Sequence, residues 1–452
     1  MYLTNITHAT LPQGALATCT LAVEEAAAGS LLPISFDQRM HVGAGDRPGT
    51  WMAVSFELPG PATRQELGAA WLRLIRRHQT LRTVFRTPSD YHGDAQLTLH
   101  QIHEPLSVRW QEHPSTAEGT RATLKTVLDR ACSPLGTPSH RLCVIHPEDT
   151  SQSPTVVLAA DHSHVDAWSL PVLAHDFLEA LVLVKSPASD DPVAQAASFA
   201  EHTRALAEAA SAPQTIHQRW QEIVSAGHGT MPTFPLPLGQ LQPTPAEAVT
   251  TRAVLDAQQL RDLEDHAQDV GHRPFTMVIS SMTQACSELA GSPLRAVLPV
   301  HSRTEPRWQE AVGWFITNSV VESSNPDLAM CRAAVREALQ LGSHALEPIM
   351  RPYGGMPVPP GMFMISYLDY RRLPAALPQS LNPQHISASA PTNGVQVWCV
   401  VTDSGLHIRA RYPDTPRAQE SVETWLAAVI GHLQKLAAGT PESRRIETLR
   451  MK

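Results

Sequence analysis

The run Thr155-Val156-Val157-Leu158-Ala159-Ala160-Asp161 constrains the fold most. It is short, apolar and rich in β-branched residues, so it reads as a buried strand. It opens into the polar cluster His162-Ser163-His164-Val165-Asp166-Ala167-Trp168, and a helix is expected from about Ser169 to Lys185. The same alternation recurs along the chain and predicts α/β (α+β) architecture. Met52–Leu58 places Val54, Phe56 and Leu58 on one face of a strand. Thr63 and Glu66 form a capping box for a helix whose Leu67, Trp71, Leu74 and Ile75 recur at helical spacing. A second strand is expected at Leu81–Phe85.

The second half repeats the pattern. A helix is expected over Phe275–Leu289, closed by Gly291, and a strand over Arg295–His301. Further helices are expected near Leu328–Leu341 and Arg417–Ala437. Met362–Tyr367 reads as a strand, and Val395–Val401 pairs with Leu406–Tyr412 across Asp403-Ser404-Gly405. Ser186–Ala196 is small, polar and proline-bearing, a loop. The Pro/Gly-rich stretch Gly227–Ala248 suits a crossover between two halves.

Composition excludes several classes. With 42% hydrophobic and 17% charged residues among 452, the chain has ample material to bury and is not disordered. A net charge of −8 argues against a nucleic-acid surface. No apolar run approaches the roughly 18 residues of a membrane span, and no secretory signal is visible near Met1. The six cysteines are scattered without a CxxC pair, which predicts buried thiols in a reducing cytoplasm, neither a zinc nor a disulfide framework.

Three readings compete at His162–Asp166. His162, His164 and Asp166 offer two imidazoles and a carboxylate to a metal, as in a hydrolase. The pattern is similar to the start of the metallo-β-lactamase-type motif, but that motif needs a further histidine where Ala167 stands. The second reading is acid–base catalysis, with His162 taking a proton from an alcohol or amine that attacks a carbonyl, and Asp166 fixing its setting. In the third, the polar residues merely end a strand.

Asp161–Ala167, DHSHVDA, resembles the HHxxxDG motif of the condensation-domain superfamily, with His162 at the second histidine and Asp166 at the aspartate. That superfamily includes nonribosomal-peptide condensation domains, polyketide-associated acyltransferases and, more distantly, chloramphenicol acetyltransferase. Four further segments agree in order. Pro33–Arg39 resembles the PLSxxQ-type signature, and Arg77–Phe85, RHQTLRTVF, is close to RHExLRTxF. His301–Arg303 with Val312–Asn318 resembles GR…GxFVN, and Ser366–Arg371 is similar to a segment of the polyketide-associated branch.

The resemblance spans about residues 30–435 and implies a free-standing member. It implies two chloramphenicol-acetyltransferase-like lobes in a V with a tunnel between them: an N-terminal lobe over 1–190, a crossover over 191–250 and a C-terminal lobe over 251–452.

The implied activity is acyl transfer in natural-product or lipid biosynthesis. The donor would be an acyl-CoA or a phosphopantetheinyl carrier protein, and the acceptor a small-molecule hydroxyl or amine. His162 would be the general base, and Asp166 would pair with Arg303 rather than carry protons. Asp161, Trp168, Asn318 and Asp369 are expected near the tunnel. Trp314 lies near it by analogy, although Trp314 and Phe315 also read as core. No metal, tightly bound cofactor, nucleic acid or membrane span is implied. The chain departs from the motif at Asp161 and Ala167, which keeps open a non-catalytic docking module. Alanine at position 167 would be strained if that position needs a positive φ.

Overall fold

The strand Thr155–Asp161 is buried at every position and is the middle member of a seven-stranded sheet. The order across that sheet is Tyr2–Asn5, Gln384–Ser387, Trp51–Glu57, Thr155–Asp161, His140–Pro147, Gly14–Ala22 and Ser107–His113. All neighbours are antiparallel except Tyr2–Asn5 with Gln384–Ser387. The computed structural model describes residues 1–22, 30–87, 97–103, 106–114, 118–149, 151–186, 193–373, 375 and 377–439.

Side-chain alternation explains why this strand is apolar throughout. Val156, Leu158 and Ala160 face one way and join a core with Leu67, Trp71, Leu74 and Ile75 of helix Arg64–Arg77 and Leu170, Leu173 and Phe177 of helix Ser169–Val184. Val157 and Ala159 face the other way and meet Leu124 and Leu128 of helix Thr120–Ala131. A strand covered on both faces has no position at which a polar residue is cheap. The capping box of Thr63 and Glu66 opens the first of these helices.

The chain divides into two compact units. The first takes residues 1–209, 301–316 and 372–390; the second takes 210–300, 317–371 and 391–452. The units are therefore not contiguous. A linear division at 190 and 250 assigns both later segments of the first unit to the second lobe. Residues 187–192 lie outside the described residues, and within 193–250 come two helices, Phe199–Glu208 and Gln214–Ala226. Ser198 and Glu201 cap the first with a capping box, and Ile216, Trp220, Ile223 and Val224 bury one stripe of the second. Irregular chain covers 227–246.

The second unit holds a six-stranded sheet in the order Glu247–Asp256, Gly405–Pro413, Val395–Thr402, Phe363–Asp369, Leu294–His301 and Ile316–Ser323. Helices Ala257–Asp269, Pro274–Ala290, Leu328–Leu341 and Pro416–Ala437 contribute to its core. The hairpin between Val395–Thr402 and Gly405–Pro413 pairs Thr402 with Gly405. Gly405 has φ 130°, and a Cβ there would lie 2.1 Å from the Leu255 carbonyl oxygen, so only glycine fits.

One strand starts later than the sequence predicts. Leu81 lies in a 3₁₀ turn, Gln79–Arg82, and the strand runs from Thr83 to Arg86. The Thr80 hydroxyl donates to the Val312 carbonyl and the Leu81 carbonyl accepts from the His140 ring, which draws this backbone out of the ladder. All six cysteines are free and buried. Among the described residues no helix is long and apolar enough to cross a membrane.

Candidate active site

The chain leaves the central sheet at Asp161, and that carboxylate organises the turn it starts. Asp161 Oδ1 accepts from the backbone N–H of Ser163 at 2.9 Å and from its hydroxyl at 2.5 Å. Oδ2 accepts from Thr50 Oγ1 at 2.6 Å, and His41 Nε2 lies 3.1 and 3.2 Å from the two oxygens. Burial by itself would raise this carboxyl. The hydrogen bond from His41, with those from the Ser163 and Thr50 hydroxyls, outweighs it and holds the pKa at about 2.

His41 comes from helix Phe36–Gly43, which Ser35 and Gln38 start with a capping box. The Gln38 amide donates to the Ser163 carbonyl at 2.8 Å and ties that helix to the turn. Arg47, which can only donate, lies 3.2 Å from His41 Nδ1. The His41 proton therefore sits on Nε2 and faces Asp161.

His162 follows Asp161, its backbone N–H donating to the Thr50 carbonyl at 3.0 Å. Its ring Nδ1 donates to the Val165 carbonyl at 2.9 Å, which fixes the tautomer and leaves the lone pair on Nε2. Among the described residues Nε2 has no hydrogen-bond partner. The ring is partly exposed, stacks on Trp314 at 4.1 Å between centroids and 21° between planes, and lies 6.3 Å from the ring of His41. Burial pushes its pKa below the ordinary imidazole value, against Asp161 and Asp166. At neutral pH it is therefore uncharged.

Asp166 is fully enclosed. Its Oδ1 accepts from Ser169 N–H and Oγ, both at 2.8 Å, and Oδ2 from the Phe315 N–H at 3.0 Å. Arg303 Nη2 reaches both oxygens, at 2.8 and 3.0 Å, so one guanidinium nitrogen serves the whole carboxylate. Nη1 donates instead to the carbonyls of Trp308 and Ala311. The Arg303 cation also lies 3.9 Å over the Phe315 ring. Burial lowers the Arg303 pKa and the Asp166 charge opposes this. With side-chain exposures of 0% and 1%, neither charge has water to fall back on.

Gly313 lets the 301–316 segment close over this pair. Its N–H donates to Ser169 Oγ at 3.2 Å, and a Cβ there would fall 2.5 Å from the Phe199 ring. Ala167 is absent from the positive-φ residues, so alanine carries no backbone strain where the motif has glycine. Trp168 donates from its indole N–H to the Gln309 carbonyl at 2.9 Å and packs 5.4 Å from His301.

The structure thus brings together His162, Asp166, Arg303, Asp161 and Trp168 in the first unit. Asn318, on strand Ile316–Ser323, and Asp369, at the end of strand Phe363–Asp369, belong to the second. Asp369 pairs there with Arg371, which also holds Glu264. Phe315 is core, whereas Trp314 meets His162 directly. His164 is buried, packed at 5.6 Å against Phe85. The metal reading is not met: ligand atoms of His162, His164 and Asp166 do not converge. Among the described residues the convergent group is His175, Asp176 and Glu179, where Asp176 is already held by Arg77 and His78.

Sequence reasoning missed His41, Arg47, Thr50 and Ser169. Gln38, inside the PLSxxQ-like segment, was the available signal, since His41 follows it by about one helical turn.

Two mixed α/β lobes, one of them with a histidine just after its central strand and a buried Asp–Arg pair beyond it, are the chloramphenicol-acetyltransferase-like class of fold. The family model of the condensation domain matches residues 44–336, and the chain belongs to that family. It is 23% identical over 432 residues to acyltransferase PapA3 of Mycobacterium tuberculosis (strain CDC 1551 / Oshkosh), covering 90% of this chain and 89% of that one. It is 24% identical over 428 residues to trehalose-2-sulfate acyltransferase PapA2 of Mycobacterium bovis (strain BCG / Pasteur 1173P2), covering 89% and 87%. Among solved structures, PapA2 acyl transferase superposes with a TM-score of 0.83 at 22% identity, over 97% of this chain and 100% of that chain. The X-domain from teicoplanin biosynthesis superposes at 0.68 with 18% identity, over 92% and 97%. The chain is an acyltransferase of the condensation-domain family.

Proposed function

We propose that this acyltransferase moves an acyl group from a thioester to a hydroxyl, with His162 as general base. The observation that carries the reading is the Nδ1–H bond to Val165, which leaves an unpartnered, neutral Nε2 at the end of a rigid strand. Nε2 takes the proton of the acceptor O–H as its oxygen bonds to the thioester carbonyl carbon. The tetrahedral intermediate collapses with cleavage of the C–S bond, and the departing thiolate takes the proton back from Nε2. The donor arrives activated, so no acyl-enzyme is needed. Asp166 and Arg303 move no proton; they hold the turn that presents the imidazole.

The donor is an acyl-CoA or an acyl group on a carrier-protein phosphopantetheine arm. The acceptor is a hydroxyl of a sugar-based lipid or a natural product, with an amine as the variant; the relative named for trehalose-2-sulfate supports the sugar. The docking-module reading loses its motive, because Asp161 has a full set of partners and Ala167 is unstrained.

The test is incubation with a panel of acyl-CoA donors and sugar acceptors, following free thiol and intact mass. Thiol release that requires the acceptor, with no mass added to the protein, supports direct transfer. A stable acyl adduct on the protein, or no thiol release with any pair, contradicts it.

A further inference from the structure

Trp314 makes a contact that general-base chemistry alone does not require. Its indole stacks on the His162 ring, and the ring of His41 meets the same indole at 5.3 Å and 73°. His41 is fixed through both ring nitrogens, to Asp161 and to Arg47. The backbone on either side of Trp314 is fixed too, Gly313 on Ser169 and Phe315 on Asp166. His41 also lies 6.3 Å from the His162 ring, so it meets the indole at its edge and leaves the stacked face to His162.

An aromatic face attracts a cation, and indole does so best. His162 is uncharged at rest and becomes an imidazolium only while it carries the acceptor's proton. Its other charged neighbours are already committed. Asp161 and Asp166 lie in its own turn, the first bound to His41 from helix Phe36–Gly43 and the second to Arg303 from the 301–316 segment. Arg47 stands behind His41, and His164 is turned toward Ser163 and Phe85. Asp161 and Asp166 also favour the charged ring, and the indole face in contact with it adds to them.

We propose that Trp314 is a positioning residue for His162, its indole face setting the plane of the imidazole and stabilising the imidazolium formed during transfer. The catalytic part rests on His162 being the base; the electrostatic part does not.

The test is an NMR titration of the His162 ring in the protein without substrates, assigned by its loss in His162→Gln, comparing wild type with Trp314→Phe and Trp314→Leu. The inference predicts a pKa that falls in the order Trp, Phe, Leu, by about half a unit or more for Leu. Were the indole only a shield from water, its removal would admit solvent and raise the pKa; a rise, or no change, overturns the proposal. Should Trp314→Leu not fold, Trp314→Phe carries the same sign. A failed transfer assay leaves this titration readable, so the two ideas fail separately.

Discussion

Arg303 and Asp166 stand 137 residues apart in sequence and 2.8 Å apart in the folded chain, both removed from solvent. A buried pair of this kind adds little net stability over apolar residues, but breaking it strands one charge. Its value here is geometric. It clamps the turn that carries His162 to the segment that carries Trp314.

Arg303→Ala should therefore cost about 3–5 kcal/mol in chemical denaturation, because Asp166 keeps its burial and loses its cation. Asp166→Asn with Arg303→Met should cost clearly less than the sum of the two single changes. Additive losses would mean that the two residues are not coupled.

Asp161 sets an acid limit that can be isolated. Its folded pKa of about 2 lies below the ordinary 3.8, so its contribution is complete above about pH 5. That contribution is lost as pH falls through the folded value. The stability gap between wild type and Asp161→Asn should be constant above pH 5 and shrink toward pH 2. A gap that stays constant over the whole range would contradict the assigned ionic state.

The buried histidines act higher on the pH scale. Burial, opposed by hydrogen bonds to the Leu81 and Ser302 carbonyls respectively, pushes His140 to about 3 and His202 to about 4; burial pushes His407 to about 4. Below about pH 6.5 the unfolded chain binds protons that the folded one refuses, so stability falls as pH drops. The melting temperature should be lower at pH 5 than at pH 7.5. His202→Phe, placed among Phe199, Trp308 and Phe315, should reduce that difference. Equal melting temperatures at both pH values would contradict this.

Gly313→Ala should destabilise by about 1–3 kcal/mol, because the new methyl meets the Phe199 ring. Phe199→Leu in the same chain should recover part of the loss. No recovery would place the cause elsewhere.

Much of the architecture is legible in local pattern, because it rests on local physics. The run Thr155–Asp161 is apolar at both alternating faces, and the capping box at Thr63 announces its helix. Helices Phe199–Glu208 and Gln214–Ala226 escaped notice among prolines and small residues, although the Ser198–Glu201 box marks the start of the first. Non-contiguous units leave no compositional trace: residues 301–316 and 372–390 join the first unit through long-range pairing. The candidate site divides the same way. His162 and Asp166 stand in one recognisable run, whereas His41 reaches Asp161 from 120 residues away and Trp314 looks, in sequence, like core.

The central claim is that the free Nε2 of His162 moves the acceptor's proton. Its most direct measurement is the transfer rate of His162→Ala, with circular dichroism and melting temperature matched to wild type. The account predicts a fall of about 10²–10⁴-fold at pH 7. A folded His162→Ala chain that transfers acyl groups at the wild-type rate would contradict it.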